Sequence, residues 1–414
     1  MNRFRIFHLT ALLGALALLF VSPECFAQFS WQQPHAKVIP NGELEWTPQP
    51  FEFQAGAVNR YIDYENGDDN NDGTKASPWK HHPWDKAARG KAAAHGGATT
   101  YVFKRGVVYR GALEVKESGR PGEPIRLTSD PSWGSGDAMF YGSRQVTDGW
   151  RKAAHPKMPE ADKVWAIDLD FPVRTLWMTE GDKVTRIALA RDPNWTEPDE
   201  NDPMSEWYEW DNPRWWTGQH KTRVGRHERH LGIDKDVLTG DKSDYVGGTV
   251  WTEWGIVMGS PYPAKIDAYD AGQKAVAFRG PWTWHMSEKI IKGNRYHLED
   301  RPQWLDLPGE FWFDRKGGGG GTLYVRLPEE RDPNTAVLEV GKELDLIQAG
   351  NVSHLEISGL TFRFTNIGWE YNDPQWSKPY LRAAVFQMNG GGDDIVIRNN
   401  TFEHVHKPVR VNVA

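Results

Sequence analysis

Two stretches near the C-terminal end of the chain repeat one another. Residues 354–364 read HLEISGLTFRF and residues 394–404 read DIVIRNNTFEH. Each block has a short segment of alternating apolar residues, a Ser-Gly or Asn-Asn corner, and a second short segment, a pattern typical of β-strands joined by tight corners. Further strand-like segments follow at 383–388 and 409–413. Three short strands per repeat, each stacked on the next repeat, describe the coils of a parallel β-solenoid.

The repeat also predicts which of its side chains face the interior of a coil. Successive side chains of a strand point to opposite faces, so apolar residues at alternate positions mark the inward face. When the two blocks are superposed, the aligned apolar positions are Leu355 with Ile395, Ile357 with Ile397, and Phe362 with Phe402. We therefore expect these pairs to stack on one another in adjacent coils.

Charged residues occupy the intervening, outward positions of the same strands. The alternation places Asp394 over His354 and Glu403 over Arg363, at the spacing of about 4.8 Å between neighbouring strands. A ladder of such pairs on the surface helps to fix the register of the strands. Two carboxylates are also what acid–base catalysis requires, so Asp394 and Glu403 are the candidate catalytic residues. Both interpretations remain open.

The rest of the chain divides into regions that differ in the length, spacing and aromatic content of their predicted strands. Short strands separated by glycine corners recur between about 59 and 145, whereas the strands of 146–345 are longer, irregularly spaced and rich in aromatic residues. We expect an all-β protein, a right-handed parallel β-helix interrupted by an antiparallel sandwich- or barrel-like insert. The predicted regions are an N-terminal cap with the first coils (28–145), the insert (146–345) and further coils (346–414).

Residues 1–27 have the pattern of a secretory signal peptide, with Arg3 and Arg5 before an apolar run and a small residue at the end. An uncleaved anchor is the alternative. We expect a secreted or periplasmic protein with no membrane contact after cleavage. Cys25, the single cysteine, would leave with the signal, so the mature protein would have no disulfide. The net charge of −7 is ordinary and argues against nucleic acid as a partner.

An Asp/Asn-rich turn near the start of the coils is the candidate metal site. Asp68, Asn70 and Asp72 match the first half of a calcium loop. The position of the expected bidentate glutamate holds Trp79 instead. The alternative is a tight turn in which these side chains bind their own backbone. Calcium is the one cofactor that the sequence suggests.

Several longer blocks occur in a distinctive order. The chain contains YIDYENGDDNNDGTKASPWK at 61–80, ALARDPNW at 188–195 and LDLPGEFWFD at 305–314, before the HLEISGLTF repeat. Together they resemble bacterial β-helix glycoside hydrolases of the family 141 type, over nearly all of residues 59–414. The resemblance implies a pectate-lyase-like solenoid and fucosidase or xylanase activity. It implies catalytic carboxylates on coils beyond residue 414, so that this chain would be an N-terminal piece, inactive alone.

The chain is also unusually rich in tryptophan, with 21 residues. Tryptophan presents a broad apolar face that suits stacking on pyranose rings, although large β cores use it too. Six aromatic residues in long loops are candidate sugar-binding residues: Trp207, Trp210, Trp215, Trp369, Tyr371 and Trp376.

Opposite charges accompany the first of these tryptophans. Acidic residues dominate 197–211, and the basic segment HKTRVGRHERH follows at 220–230. The two blocks either pair with each other in a solvated loop, or form a lid whose basic arm binds carboxylate or sulfate groups. His227 and His230 have the spacing of two metal ligands on a helix, but a third ligand is missing.

Three functions are compatible with these features. The resemblance favours a glycoside hydrolase acting on plant- or algal-type polysaccharide. A polysaccharide lyase on uronate polymers is the first alternative, since the last coils also carry Lys, Arg and His residues suited to proton abstraction. A noncatalytic carbohydrate-binding or surface protein is the second. Each makes a polysaccharide or oligosaccharide the expected partner.

Overall fold

The computed structural model describes residues 37–45, 50–196, 198–215, 229–254, 257–279, 290–316, 319–367 and 383–412. The signal-peptide segment, His227, Trp369, Tyr371 and Trp376 lie outside these ranges, as does the side chain of Trp215. The chain forms two compact units, Met1–Pro50 and Phe51–Ala414. No helix in the described ranges is long and apolar enough to cross a membrane.

The smaller unit contains one antiparallel hairpin, β1 (Lys37–Val38) and β2 (Leu44–Glu45). The larger unit begins with β3 (Asn59–Ile62), α1 (Gly90–Ala93), β4 (Thr100–Arg105), β5 (Val108–Arg110), β6 (Leu113–Glu114), β7 (Ile125–Gly134) and β8 (Met139–Tyr141). Longer strands follow: β9 (Ser143–Val146), β10 (Arg151–Lys152), β11 (Trp165–Leu169), β12 (Leu176–Glu180), β13 (Lys183–Leu189), β14 (Arg191–Asp192), β15 (Tyr208–Glu209) and β16 (Arg214–Trp215).

The second half of that region contains β17 (Arg229–Ile233), α2 (Lys242–Tyr245), β18 (Thr249–Trp254), β19 (Val257–Asp270), β20 (Ala275–Arg279), β21 (Arg295–Glu299), β22 (Glu310–Arg315), β23 (Gly321–Arg326) and β24 (Val337–Gly341). Short strands then return: β25 (Ile347–Ala349), β26 (Leu355–Ser358), β27 (Thr361–Arg363), β28 (Phe386–Asn389), β29 (Ile395–Arg398), β30 (Thr401–Glu403) and β31 (Val409–Asn412).

The short strands form three small parallel sheets. Their strand orders are β29-β26-β7-β4-β3, β31-β28-β25-β6 and β30-β27-β8-β5. From β4 to β8 the chain visits these sheets in strict rotation, and from β25 to β31 it continues the same rotation from the sheet that is due next. The structure is therefore mostly β and contains several small parallel sheets, as the sequence repeat predicts.

The predicted stacking of the two repeat blocks is confirmed. Leu355 pairs with Ile395, Ile357 with Ile397 and Phe362 with Phe402 in parallel register. The first member of each pair is at most 1% exposed, and the second packs against the same core. The corner between the two strands of a block requires the left-handed region, since Gly359 has φ 67° and Asn399 has φ 51°.

An aromatic ladder runs through one of the parallel sheets. The rings of Tyr109 and Phe140 are 5.2 Å apart, those of Phe140 and Phe362 5.4 Å, and those of Phe362 and Phe402 5.2 Å. Four strands, β5, β8, β27 and β30, each contribute one ring. The ladder passes without a break across the point where the long-stranded region, 143–341, interrupts the chain.

That region, which we call the insert, is made of two eight-stranded sheets. The first has the order β10-β11-β23-β22-β13-β12-β24-β9, and the second runs β14-β21-β18-β19-β20-β17-β16 with β15 also paired to β21. Among the described strands of the insert, all pairings are antiparallel except that of β13 with β22. The first sheet is therefore mixed, whereas the sequence predicted an antiparallel insert. Long-range parallel pairing leaves no local sequence signal.

The aromatic ladder predicts a graded response to truncation. Phe362 is 0% exposed and lies between two rings, so Phe362→Ala should reduce the free energy of unfolding by about 3–5 kcal/mol. Phe402 is only partly buried, so Phe402→Ala should cost clearly less. Urea unfolding of both variants measures the two values. Equal losses would show that the ladder does not carry the packing that we assign to it.

Candidate functional site

The two candidate catalytic residues occupy the outward positions expected for them. Oδ2 of Asp394 lies 2.8 Å from Nδ1 of His354, and the Glu403 carboxylate pairs with the Arg363 guanidinium. Because Asp394 precedes β29 and Glu403 belongs to β30, the two carboxylates are carried by different sheets. The pairing of Asp394 with His354 and of Glu403 with Arg363 is the arrangement expected if these residues form a surface ladder that fixes the register of the strands.

The Asp/Asn-rich turn uses its side chains to hold its own backbone together. Asp68 accepts the backbone N–H of Asn70 at 2.8 Å, and Asp72 pairs with Lys91 at 2.6 Å. Asp69, which the sequence did not single out, is 8% exposed and accepts the backbone N–H groups of two distant residues, His81 (2.8 Å) and Arg89 (2.9 Å). Within the described ranges, no group of three or more acidic, histidine or cysteine residues is arranged to hold a metal ion.

Trp210, one of the candidate sugar-binding residues, lies in the core of the insert. It is 1% exposed. Its ring stacks on Tyr296 with centroids 3.6 Å apart and planes 3° apart, and its Nε1 donates to Oγ1 of Thr252 at 2.8 Å. His230 is also buried and packs edge-on against Trp254. Trp210 is thus a packing residue, the alternative that accompanied its sugar-binding assignment.

Trp207, in contrast, belongs to a group of neighbouring side chains that the sequence analysis did not predict to lie together. We call this group the carboxylate–tryptophan cluster. Its members are Arg191, Asp192, Asn194, Trp195, Trp207, Glu299, Asp306 and Glu310.

The cluster forms where the chain crosses from one sheet of the insert to the other. At the end of β13, Ala188 pairs with Glu310 of β22 in the first sheet. Immediately afterwards, Arg191 of β14 pairs with Glu299 of β21 in the second sheet. The crossing residue, Ala190, donates its N–H to the carbonyl of Phe311 at 2.8 Å. The parallel pairing of β13 with β22 therefore brings Glu310 towards Arg191, and the antiparallel pairing of β14 with β21 brings Glu299.

Arg191 lies between two tryptophan side chains. Its guanidinium carbon is 5.7 Å from the ring centroid of Trp195 and also 5.7 Å from that of Trp207, within cation–π range. Nε donates to the carbonyl of Pro193 at 3.0 Å. Nη2 is buried and finds no hydrogen-bond partner in the part of the chain that the structure describes.

Two glutamates of the cluster differ in protonation. Burial raises the pKa of Glu310 to about 8, although the Leu307 amide donates to it at 3.3 Å; the nearby Asp306 carboxylate raises it as well. Burial also opposes ionisation of Glu299, but hydrogen bonds from His297 (3.0 Å) and Trp251 (2.9 Å) hold its pKa below the ordinary value. Around neutral pH the cluster therefore contains a neutral carboxylic acid and a carboxylate, as acid–base sites do.

The sequence contained one signal for this cluster. Trp195 directly follows the turn residues Asp-Pro-Asn, and a tryptophan on a turn is more exposed than one on a core strand. Both Arg191 and Glu310 lie in blocks that carry the family resemblance, but nothing local indicates that the two blocks meet.

The raised pKa of Glu310 predicts a pH-dependent stability. An unfolded glutamate titrates near 4.5, whereas folded Glu310 keeps its proton to about 8. Between these pH values the folded state binds more protons than the unfolded state. The contribution of Glu310 to the free energy of unfolding therefore falls as pH rises, by up to about 1.4 kcal/mol per pH unit. Glu310→Gln removes this slope, so the variant should gain stability relative to wild type from pH 5 to pH 8.

Thermal unfolding at several pH values measures this difference. Glu329→Gln makes the same chemical change at an exposed position and reports what the substitution does in general. Parallel stability curves for wild type and Glu310→Gln would contradict the assignment.

Comparison with known proteins gives a likeness in fold. No protein-family model matches the chain, and no curated protein matches it. A solved structure described as a glycoside hydrolase shares 16% identity with a TM-score of 0.54 over 84% of this chain, which spans 62% of the length of that protein. The complex structure of XylC with xylose, at 11% identity, covers 84% of this chain and 40% of XylC; its TM-score of 0.39 is too low to carry an argument. The first likeness shows a shared fold.

Proposed function

We propose that this protein is carbohydrate-active and that it is a glycoside hydrolase acting on complex plant- or algal-type polysaccharide. The observation that carries the proposal is the fold, which is shared over 84% of the chain with a structure described as a glycoside hydrolase. The rotation of the chain through three parallel sheets supports a right-handed parallel β-helix as the scaffold. Fold alone does not determine chemistry, so the substrate and the reaction require direct measurement.

The described carboxylates of the coils are, in our proposal, structural. Glycoside hydrolysis requires one carboxyl group as an acid and another as a base or nucleophile on either side of the scissile bond. Asp394 lies within hydrogen-bond distance of His354, and Glu403 pairs with Arg363, both partners being residues of the preceding coil; β29, which follows Asp394, and β30, which contains Glu403, belong to different sheets. We therefore propose that these two residues keep the strands in register and that bond cleavage uses other carboxyl groups.

Noncatalytic carbohydrate binding is the second candidate function. It is favoured by the exposed ring of Trp195, whose flat face is suited to stacking on a sugar. In this case the protein would hold a saccharide without cleaving it. A polysaccharide lyase remains an outcome of the test below.

Product analysis separates these functions. The protein is incubated with neutral xylans, fucosylated glycans and uronate polymers, and both reducing ends and ultraviolet-absorbing unsaturated products are measured. A hydrolase releases reducing ends alone, a lyase releases both, and a binding protein retains glycan and releases neither. We expect the full-length protein to release reducing ends alone. A protein that neither binds nor cleaves any of these glycans would refute the proposed function.

Substitution of the ladder carboxylates tests their structural role. Asp394→Ala and Glu403→Ala should leave turnover and glycan binding unchanged and should each lower the free energy of unfolding by about 0–1 kcal/mol, the range for exposed ion pairs. Asp393→Ala, an exposed neighbour, is the matched control. Loss of turnover in the Asp394 and Glu403 variants, but not in the control, would make them the catalytic pair.

A further inference from the structure

We infer that Trp195 is the stacking platform of a saccharide-binding site on the insert, and that this site takes neutral sugar units and rejects anionic ones. The inference rests on the proposed function and specifies the class of saccharide. It is carried by the exposure of one ring, by the rigid support behind that ring, and by the charge that surrounds it.

Trp195 differs from the other tryptophans in its exposure. It is 55% exposed, whereas every other tryptophan whose side chain the structure describes is buried or half-buried. Single exposed apolar side chains are ordinary on protein surfaces, so the exposure of Trp195 gains meaning from the contacts and charges around it. Its flat face is suited to the apolar C–H face of a pyranose.

The ring is supported from behind by a chain of contacts that reaches the core. Trp195 and Trp207 both lie 5.7 Å from Arg191. Trp207 meets His297 edge-on at 4.3 Å, and His297, 4% exposed, is hydrogen-bonded to Glu299 at 3.0 Å. A side chain that is ordered before binding loses little conformational entropy when the ligand arrives.

The residues on both sides of Trp195 are tied to other segments. Nδ2 of Asn194 donates to Asp306 at 3.1 Å. On the other side, the backbone N–H and Oγ1 of Thr196 donate to Glu206 at 2.9 and 3.0 Å. These bonds fix the turn that presents the ring.

Polar atoms beside the ring suit hydroxyl groups. Nη2 of Arg191, a donor, and Oδ1 of Asn194, an acceptor, are both buried and find no partner among the residues that the structure describes. A saccharide hydroxyl both donates and accepts hydrogen bonds. An unsatisfied buried donor or acceptor is costly, so a shift of the neighbouring side chains that opened either atom to a hydroxyl group or a water would be favoured by the new hydrogen bond.

The surrounding charge decides the class of sugar. Arg191 interacts electrostatically with the carboxyl groups of Glu299, Glu206 and Asp192, and with that of Glu310, which burial keeps neutral around neutral pH. Asp306 lies beside them, bonded to Asn194. A uronate or sulfate group placed on Trp195 would face this excess of acidic groups and be repelled, whereas a neutral sugar would not.

Binding of matched saccharides tests the inference. Titration calorimetry compares a neutral xylooligosaccharide with an oligogalacturonate of the same length, on wild type, Trp195→Ala, Trp195→Phe and Trp165→Ala. Trp165, which has its own cation–π contact with Lys152 at 4.0 Å, is the control. We expect wild type to bind the neutral ligand preferentially, Trp195→Ala to lose about tenfold in affinity, Trp195→Phe to recover most of it, and Trp165→Ala to behave as wild type.

A charge variant tests the selectivity. Asp306→Asn keeps a hydrogen-bond acceptor for Asn194 but removes a negative charge, so the ratio of the affinity for the neutral ligand to that for the oligogalacturonate should fall. Added salt should have the same effect in wild type, since it screens the repulsion.

The outcomes separate the inference from the function on which it rests. Glycan binding or cleavage by wild type that is unaffected by Trp195→Ala would overturn the platform and leave the proposed function intact. Preference of wild type for the oligogalacturonate would overturn the selectivity. Absence of binding and cleavage with every glycan tested would overturn the proposed function itself.

Discussion

The pairing of β9 with β24 is the constraint on which the rest of the structure depends. Ser143, where the insert begins, pairs with Gly341, where it ends, and the amides of Lys342 and Glu343 bond to the carbonyl of Gly142. The chain therefore leaves and re-enters the set of three parallel sheets at one point, so the sheet rotation and the aromatic ladder continue as if the insert were absent. The buried Glu339 carboxylate, bound by both terminal nitrogens of Arg110, ties the two parts together.

Local periodicity explains why part of this fold could be predicted. The stacking of Leu355 on Ile395 and the ion pair of His354 with Asp394 follow from strand alternation within a forty-residue repeat (394 minus 354), and both are present. The parallel pairing of β13 with β22 could not be predicted, because its partners are separated by more than a hundred residues and neither segment carries a signal for the other. The candidate site depends on that pairing, so the sequence could not assemble it.

The tryptophans show the same difference between what local sequence predicts and what depends on long-range pairing. Trp207, Trp210 and Trp195 lie close together in the chain, and residue type alone offers all three as sugar platforms. The structure distinguishes them: Trp210 stacks on Tyr296 in the core, Trp207 supports Arg191, and Trp195 presents its ring to solvent. Whether a tryptophan is buried depends on how the sheets assemble. The one local signal in the sequence is the turn before Trp195, which predicts that this ring is exposed.

The protonation of the cluster follows from its place between the two sheets. A carboxyl group enclosed there without a cation bound to it, such as Glu310, keeps its proton, whereas Glu299 ionises because His297 and Trp251 donate to it. If both glutamates were ionised, Arg191 would face more negative charge than its single positive charge could compensate. The free-energy cost of such uncompensated charge grows with burial. The neutral acid therefore lowers the negative charge around Arg191. Because burial opposes ionisation of both glutamates, the hydrogen-bond donors of each carboxyl group, and not enclosure alone, determine which of the two is charged.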